Sequence, residues 1–482
     1  MRALLVALLL LPLLADATPK KRHRHRRPKV VVVPEPVAPP VARPPTPEPP
    51  AEKAPAEEAP EPAPAANASG ESPEASEPEP DAEPPAVEFE YQGYLRGRLM
   101  HAFVDPHALL SGIAAPLPEN QATLEANIQP RLRLFDGHLT LASDFSAFTT
   151  TQAPYVSVLV SELYAQASVF DALYVLVGRR RVVWGTGLSW NPTDLVNPPR
   201  DLLEPARTRA GALMLPMVDF SLSAVTLSAF VSAPVTYDAH GLPVAVNLAA
   251  PVAGTRVFTS QFGVDMSLMY FYDAGKRRHS IGTAVSSVIA ESYEVHAEGV
   301  LHLGAVDRPP MEAVDACGPA LGTAPTLGGA AVIGVRRDGP DRSLVGVEYL
   351  FNSGGYTPGE YALVRSELPC LRAAAKVAGL QEPGRAPAIV APVVLVRQHY
   401  LSVLAQRPHL TSEGWLEHLG VSGGAIVSLS DGSTILQARL DVSMRSGFVM
   451  SLVGVVFLPL DGGEMGLVPT RGLASLELQW SY

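Results

Sequence analysis

The sequence predicts an all-β chain, an antiparallel transmembrane β-barrel of about 16 strands (roughly 14 to 18), preceded by a disordered proline-rich segment. Three observations carry this. From Val87 onward polar and apolar residues alternate with period 2 over many segments. Past the first residues no stretch reaches about 18 uninterrupted apolar residues, so no helical span is available. The chain also closes on a strand, Ala474 to Tyr482, that sets Leu476, Leu478, Trp480 and Tyr482 on one face and Ser475, Glu477, Gln479 and Ser481 on the other.

Residues 1–17 read as a signal peptide: Met1-Arg2, an apolar run from Ala3 to Leu14, then Ala15-Asp16-Ala17 with small residues where a signal peptidase reads. Residues 18–86 hold nothing that could build a core. The basic block Lys20-Lys21-Arg22-His23-Arg24-His25-Arg26-Arg27 gives way to Pro, Ala and Glu with almost no aromatics, so too little apolar surface exists to offset chain entropy. Fully extended, such a segment reaches on the order of 170 Å. It is expected in the periplasm, where the basic block either grips an anionic cell-wall polymer or is a solvated tail. The formal net charge of -11 and the scatter of basic residues beyond this block argue against nucleic acid as a partner.

Residues 87–482 form the expected barrel. In Thr123 to Leu134 one face carries Thr123, Glu125, Asn127, Gln129, Arg131 and Arg133, and the other Leu124, Ala126, Ile128, Pro130, Leu132 and Leu134. From Thr434 to Met444 the polar face holds Gln437, Arg439, Asp441 and Ser443; from Tyr293 to Leu303 it holds Glu294, His296, Glu298 and His302. A soluble sandwich turns such faces toward surrounding water, whereas a barrel in lipid turns them toward a wet lumen. The ending separates the two, because a last strand wholly apolar on one side would fray in water. Trp480 and Tyr482 resemble the C-terminal signal by which the barrel-insertion machinery reads outer-membrane barrels.

Seventeen segments alternate in this way, among them 208–215, 218–231 and 256–272. Tight turns at Phe135-Asp136-Gly137-His138 and Phe170-Asp171-Ala172 mark one side, and long connections at 104–121, 185–207, 305–328 and 353–392 mark the other. Closure needs an even number, and counts from the two ends disagree between 208 and 292, which places the misread strand there. Cys317 and Cys370 lie in two connections on one rim; they are expected either to pair, in an oxidising compartment, or to stay as thiols.

The segment least like a generic strand is Val177-Gly178-Arg179-Arg180-Arg181-Val182-Val183-Trp184-Gly185-Thr186-Gly187, followed by Trp190-Asn191-Pro192-Thr193-Asp194. It resembles a motif of porin-like outer-membrane barrels in which a strand ending Gly-Arg-Gln leads through Trp-Gly to an Asn-Pro-x-Asp loop, with Arg180 at the position that pattern gives to Gln. The resemblance spans about 30 residues and implies an outer-membrane barrel. On the residues alone, Arg179 and Arg181 are expected to face the lumen and Arg180 the head-group boundary, since an arginine facing lipid at mid-membrane costs roughly 2 to 4 kcal/mol. Together with Asp194, Arg200 and Asp201 they would form either a charged constriction on an inward loop or a salt-bridged surface loop. Lumen lining is further expected of Glu125, Arg131, Arg133, Glu294, Glu298, Arg439 and Asp441.

The carboxylates and histidines of 294–302 spread over more than about 25 Å of extended chain, too far to gather one metal ion, and no cofactor is implied. No Gly-x-Ser-x-Gly or His-Glu-x-x-His pattern appears, so an outer-membrane hydrolase is the minor expectation. The leading one is a channel for small or charged solutes, as a monomer or an oligomer. Its rival is a plugged barrel that assembles or holds a surface polymer.

Overall fold

The computed structural model describes residues 87–482 apart from 109–117, 171, 198–210, 238–242, 307–325, 378–394, 445–446, 461 and 468. The expected signal peptide and proline-rich segment lie outside the described residues. The first strands are β1 (Val87–Val104), β2 (Asn120–Leu134), β3 (Leu139–Thr150), β4 (Ala153–Val169), β5 (Leu173–Arg180), β6 (Ala212–Ser221) and β7 (Val225–Ser232). A small hairpin, β8 (Val235–Tyr237) with β9 (Pro243–Val246), stands outside the main sheet. The sheet continues through β10 (Val252–Gln261), β11 (Val264–Asp273), β12 (Arg278–Ile289), β13 (Tyr293–Leu303), β14 (Leu327–Asp338) and β15 (Leu344–Asn352). After helix α1 (Pro358–Val377) come β16 (His399–Arg407), β17 (Leu419–Ser428), β18 (Thr434–Ser443), β19 (Phe448–Leu458) and β20 (Thr470–Ser481).

Each strand pairs antiparallel with the next, β7 pairs with β10, and β20 returns to β1 with Leu95 opposite Trp480 and Arg98 opposite Glu477. The result is a closed barrel of 18 strands, so no edge is left to template aggregation. Both ends of the barrel chain lie on one rim, the terminal rim, where most connections are short turns. The opposite loop rim carries the long connections, α1 among them.

The expected number of about 16 strands is corrected to 18, and the place of the error was foreseen though its direction was not. The segment 256–272 is two strands, turned at Phe262-Gly263 with φ of 55° and 73°, the primed geometry that suits a two-residue hairpin. A phenylalanine at a turn position reads as a strand residue, which hid the turn. Likewise 208–215 and 218–231 are redrawn as β6 and β7. Pro216, between the two expected segments, sits where the register shifts between Met214 and Met217, a bulge that tolerates a missing N–H.

The two faces separate as the alternation predicts. Leu95, Leu99, Leu124, Ile128, Leu141, Leu163, Leu268, Ile333, Leu452 and Leu478 are exposed on the outside, while Glu125, Asn127, Asp144, Ser146, His296, Glu298, Glu348 and Glu477 are buried within. This inverts the partition of a protein folded in water. Trp480 stacks between Phe448 (6.1 Å) and Tyr482 (5.4 Å) on the outer surface beside the terminal rim. The Tyr482 backbone exchanges hydrogen bonds with Gly93, each 3.1 Å, so the end of the chain is stitched into the closing seam.

Candidate functional site: a loop across the barrel interior

Between β5 and β6 the chain turns into the barrel. Its neck is closed by Asn197, whose Nδ2 donates to the Val182 carbonyl (2.6 Å) and whose Oδ1 accepts from the Val182 N–H (3.3 Å). Asp194 braces Asn197, accepting from its Nδ2 at 2.7 Å and its backbone N–H at 3.3 Å. Trp184 is the apolar anchor. It is buried against Phe230 (5.3 Å) and Phe271 (5.5 Å) in a cluster with Leu176, Val182, Met214, Met217 and Met269.

The far end of the loop is held by two buried carboxylates. Glu298 on β13 accepts from the Thr186 N–H (2.9 Å) and the Thr193 hydroxyl (3.2 Å). Glu348 on β15 accepts from the N–H groups of Leu188 (2.5 Å) and Ser189 (2.7 Å) and meets His296 Nε2 at 2.8 Å. The Ser189 and Ser402 hydroxyls lie 2.8 Å apart, and Trp190 packs near Tyr400 on β16. Counted around the barrel, β15 and β16 are eight and nine strands from β5, half the circumference. The loop therefore spans the interior from one wall to the opposite one.

The motif glycines follow from this packing. A Cβ on Gly185 would collide with the Asn191 amide and Glu298, and one on Gly187 with the Trp190 carbonyl. Glu298 and Glu348 are both buried, and the wall grips the loop largely through main-chain N–H groups of Thr186, Leu188 and Ser189, with the Thr193 and Ser189 hydroxyls adding to the hold.

The sequence-predicted residues fall into three groups. Glu298 and Asp194 hold the loop. Glu125, Arg439 and Asp441 face the interior on the wall formed by β18 to β20 and β1 to β4. There Glu125 bonds Arg96 (2.5 Å) and Tyr94 (2.8 Å), and Arg439 bonds Asp441 (2.8 Å), Ser451 (2.8 Å) and Glu477 (3.4 Å). Arg131, Arg133 and Glu294 line the interior nearer the terminal rim, paired with Glu90 (3.9 Å), Glu88 (2.8 Å) and Arg336 (2.6 Å). Arg200, Asp201 and Cys317 lie outside the described residues, and Cys370, in α1, is disulfide-bonded.

The assignment of Arg179 and Arg180 is corrected. Leu176 is buried and Val177 half exposed, so alternation puts Arg180 inside and Arg179 outside. Arg179 sits between Leu163 and Leu213 on the outer face, with its Nε donating to the Gly211 carbonyl at 2.9 Å. Arg180 faces the interior over the Tyr164 ring (4.9 Å) and bonds Gln166 (2.5 Å). Arg179 lies near the end of its strand, where an outward arginine costs only about 0 to 1 kcal/mol, so keeping it out of mid-membrane did not require turning it inward. Arg181 has left the strand, and its Nε lies 3.8 Å from Glu162.

Sequence reasoning missed Glu348 and the role of His296. The signal for Glu348 was present: a lone acid in Leu344-Val345-Gly346-Val347-Glu348-Tyr349-Leu350-Phe351 needs a donor set inside. Among the described residues no cluster of three metal-ligating side chains occurs.

Fold and loop together define a closed transmembrane β-barrel with a lumen-crossing loop. No family model and no curated protein matches the chain. Among solved structures it is similar to a triple mutant of the Rhodopseudomonas blastica porin, at 12% identity over 82% of this chain and 100% of that one, TM-score 0.39. It is also similar to OccK5 (OpdH) of Pseudomonas aeruginosa, at 8% identity over 82% and 98% of the two chains, TM-score 0.49. At these values the likeness adds nothing to a fold that the strand pairings establish by themselves.

Proposed function

We propose that the protein is a porin-like channel of a bacterial outer membrane, passing small or charged solutes without chemical change. The carrying observation is the loop that crosses from β5 to β15 and β16, because it narrows a polar-lined interior, and past the Arg181–Glu162 pair at its root the described contacts of the loop include no side-chain pair with the wall of β18–β20 and β1–β4. Solute would pass between the loop and that wall, in contact with Arg96, Glu125, Arg439 and Glu477. Rings of fixed charge at such a passage set which ions move. In this reading the terminal rim faces the periplasm, residues 1–17 direct export, and residues 18–86 extend toward the cell wall. Trp480 and Tyr482 serve insertion. The resemblance of the Trp-Gly … Asn-Pro-x-Asp segment to porin-like barrels supports the same reading.

A second reading is a plugged barrel, favoured by one feature: the loop-rim half of the interior is packed with apolar residues from Met100 to Phe457 and from Val332 to Tyr400. Single-channel recording on purified protein separates the two. Steady ohmic steps support the channel, and a silent bilayer containing correctly folded, heat-modifiable protein supports the plug.

A further inference from the structure

Closure removes the edge of a sheet only as far as the pairing runs, and β1 outruns its partner. On one side β2 accompanies β1 down to Val87, opposite Leu134; on the other β20 leaves it at Gly93, which exchanges two hydrogen bonds with Tyr482. Residues 87–92 therefore have a strand beside them on one side and, among the described residues, none on the other. In an antiparallel ladder alternate residues turn both main-chain groups the same way. Gly93 turns its pair toward β20, so Tyr91, Phe89 and Val87 turn theirs toward the empty side. They form a row of N–H and C=O groups that repeats at about 7 Å.

The side chains beside this row present two distinct faces. Outward, Val87, Phe89 and Tyr91 are 58% to 64% exposed, and the adjoining β2–β3 turn adds Phe135, exposed at a φ of 53° that bulky residues rarely take. Inward stand Glu88 and Glu90; Arg131 and Arg133 on β2 pair with them, yet each acid stays nearly half exposed. The ligand that matches such a row is an extended main chain, which repeats its own donors and acceptors at the same interval. We propose that residues 87–92 are a docking edge for an extended segment of a periplasmic protein. About five residues of it add as a strand antiparallel to β1, with apolar side chains beside Phe89 and Tyr91 and basic ones beside Glu88 and Glu90. The edge follows from strand pairing alone; only the partner's compartment rests on the orientation proposed above, and strand addition does not depend on conductance.

The probe is a fluorescent seven-residue peptide that alternates valine and arginine, titrated onto the full chain in nanodiscs and read by anisotropy. One peptide is expected to bind per chain. With its valines outward beside Phe89 and Tyr91, those valines are the residues that bond to β1. N-methylation of the valines should therefore weaken binding about tenfold or more, while N-methylation of the arginines, at the same peptide charge, should leave it unchanged. On the protein side, Phe89→Pro removes one N–H of the row and spares the β2 ladder, as proline does on an open edge, and should weaken binding about tenfold. The methylated peptides act on the unaltered protein, so they decide the matter even where Phe89→Pro does not fold. Equal affinity of the two methylated peptides, no saturable binding, or undiminished binding by folded Phe89→Pro would overturn the proposal. So would cross-links from a photoreactive group at position 89 of the peptide-free protein that join two copies or fall on residues 18–86 of the same chain.

Discussion

The two halves of the barrel interior are built from different chemistry. Toward the terminal rim the inward positions are charged and paired: Glu88 and Glu90 with Arg131 and Arg133, Glu294 and Asp338 with Arg336. Toward the loop rim inward positions turn apolar, with Met100, Phe230, Met269, Phe271, Ile435, Val455 and Phe457 all buried, and β1 carries both kinds, Glu88 and Glu90 at one end and Met100 at the other. These residues are covered by chain folded in from the rim: Val182 and Trp184 from the crossing loop, and Met465 from the β19–β20 connection. One half is a wet vestibule and the other a core of the kind found in soluble proteins, and the crossing loop lies at their boundary. A barrel wall can thus switch along its length from lining water to packing a cap.

The cap is most sensitive at its apolar anchor. Trp184→Ala should cost about 3 to 5 kcal/mol and increase channel current by loosening the loop, read by unfolding in urea and by bilayer recording. Removing the grip on the loop's far end comes next. Glu348→Ala strands His296 and two buried N–H groups, at a cost of about 1 to 3 kcal/mol for each group left bare, and should also raise current. Glu348→Gln, which keeps an acceptor, should fall between.

A third test is pH. Glu464, in the β19–β20 connection, accepts from Tyr400 (2.7 Å) and the Val396 N–H (2.9 Å), while its own N–H donates to Asp431 (3.2 Å). Arg397 pairs with Asp431 (3.4 Å) and covers the Tyr361 ring (4.3 Å), so Glu464 and Asp431 together join three connections of the loop rim. Burial pushes the Glu464 carboxyl up to about 7, opposed by the Tyr400 hydroxyl and helped by Asp431. A raised carboxyl holds its proton more tightly folded than unfolded. Its stabilising contribution is therefore complete below the ordinary carboxylate range and is lost as pH rises through about 7. After correction for the base-catalysed rise of amide exchange itself, hydrogen exchange at 395–398 and 462–467 should quicken by up to about tenfold per pH unit of that loss, and Glu464→Gln should abolish this excess. The smallest effect belongs to the vestibule. Arg133→Gln breaks a half-exposed pair and should change stability by less than about 1 kcal/mol, with a slight shift of reversal potential toward cations.

Much of this contrast was legible in the sequence, and the reasons differ by residue. Period 2 over 123–134 and 434–444 fixed both faces of β2 and β18, because side-chain sidedness in a strand is local. The Trp-Gly and Asn-Pro-Thr-Asp segments announced a special loop, since their glycines and turn residues serve no strand. The orientation of Arg179, Arg180 and Arg181 was not legible: three like residues in a row give no local preference, and their faces follow from Leu176 and Val177 within the register. Where the loop ends was also hidden. The bonds from Leu188 and Ser189 to Glu348 span about 160 residues and use main-chain donors that every residue possesses.

The crossing itself is tested most directly by joining its ends. In a Ser189→Cys, Ser402→Cys protein inserted in vesicles, mild oxidation should yield one intramolecular cross-link in nearly every chain, because the native hydroxyls stand 2.8 Å apart, and current per channel should stay close to that of the reduced form. A pair that remains reduced under conditions where solute still passes would mean that the loop does not reach the far wall.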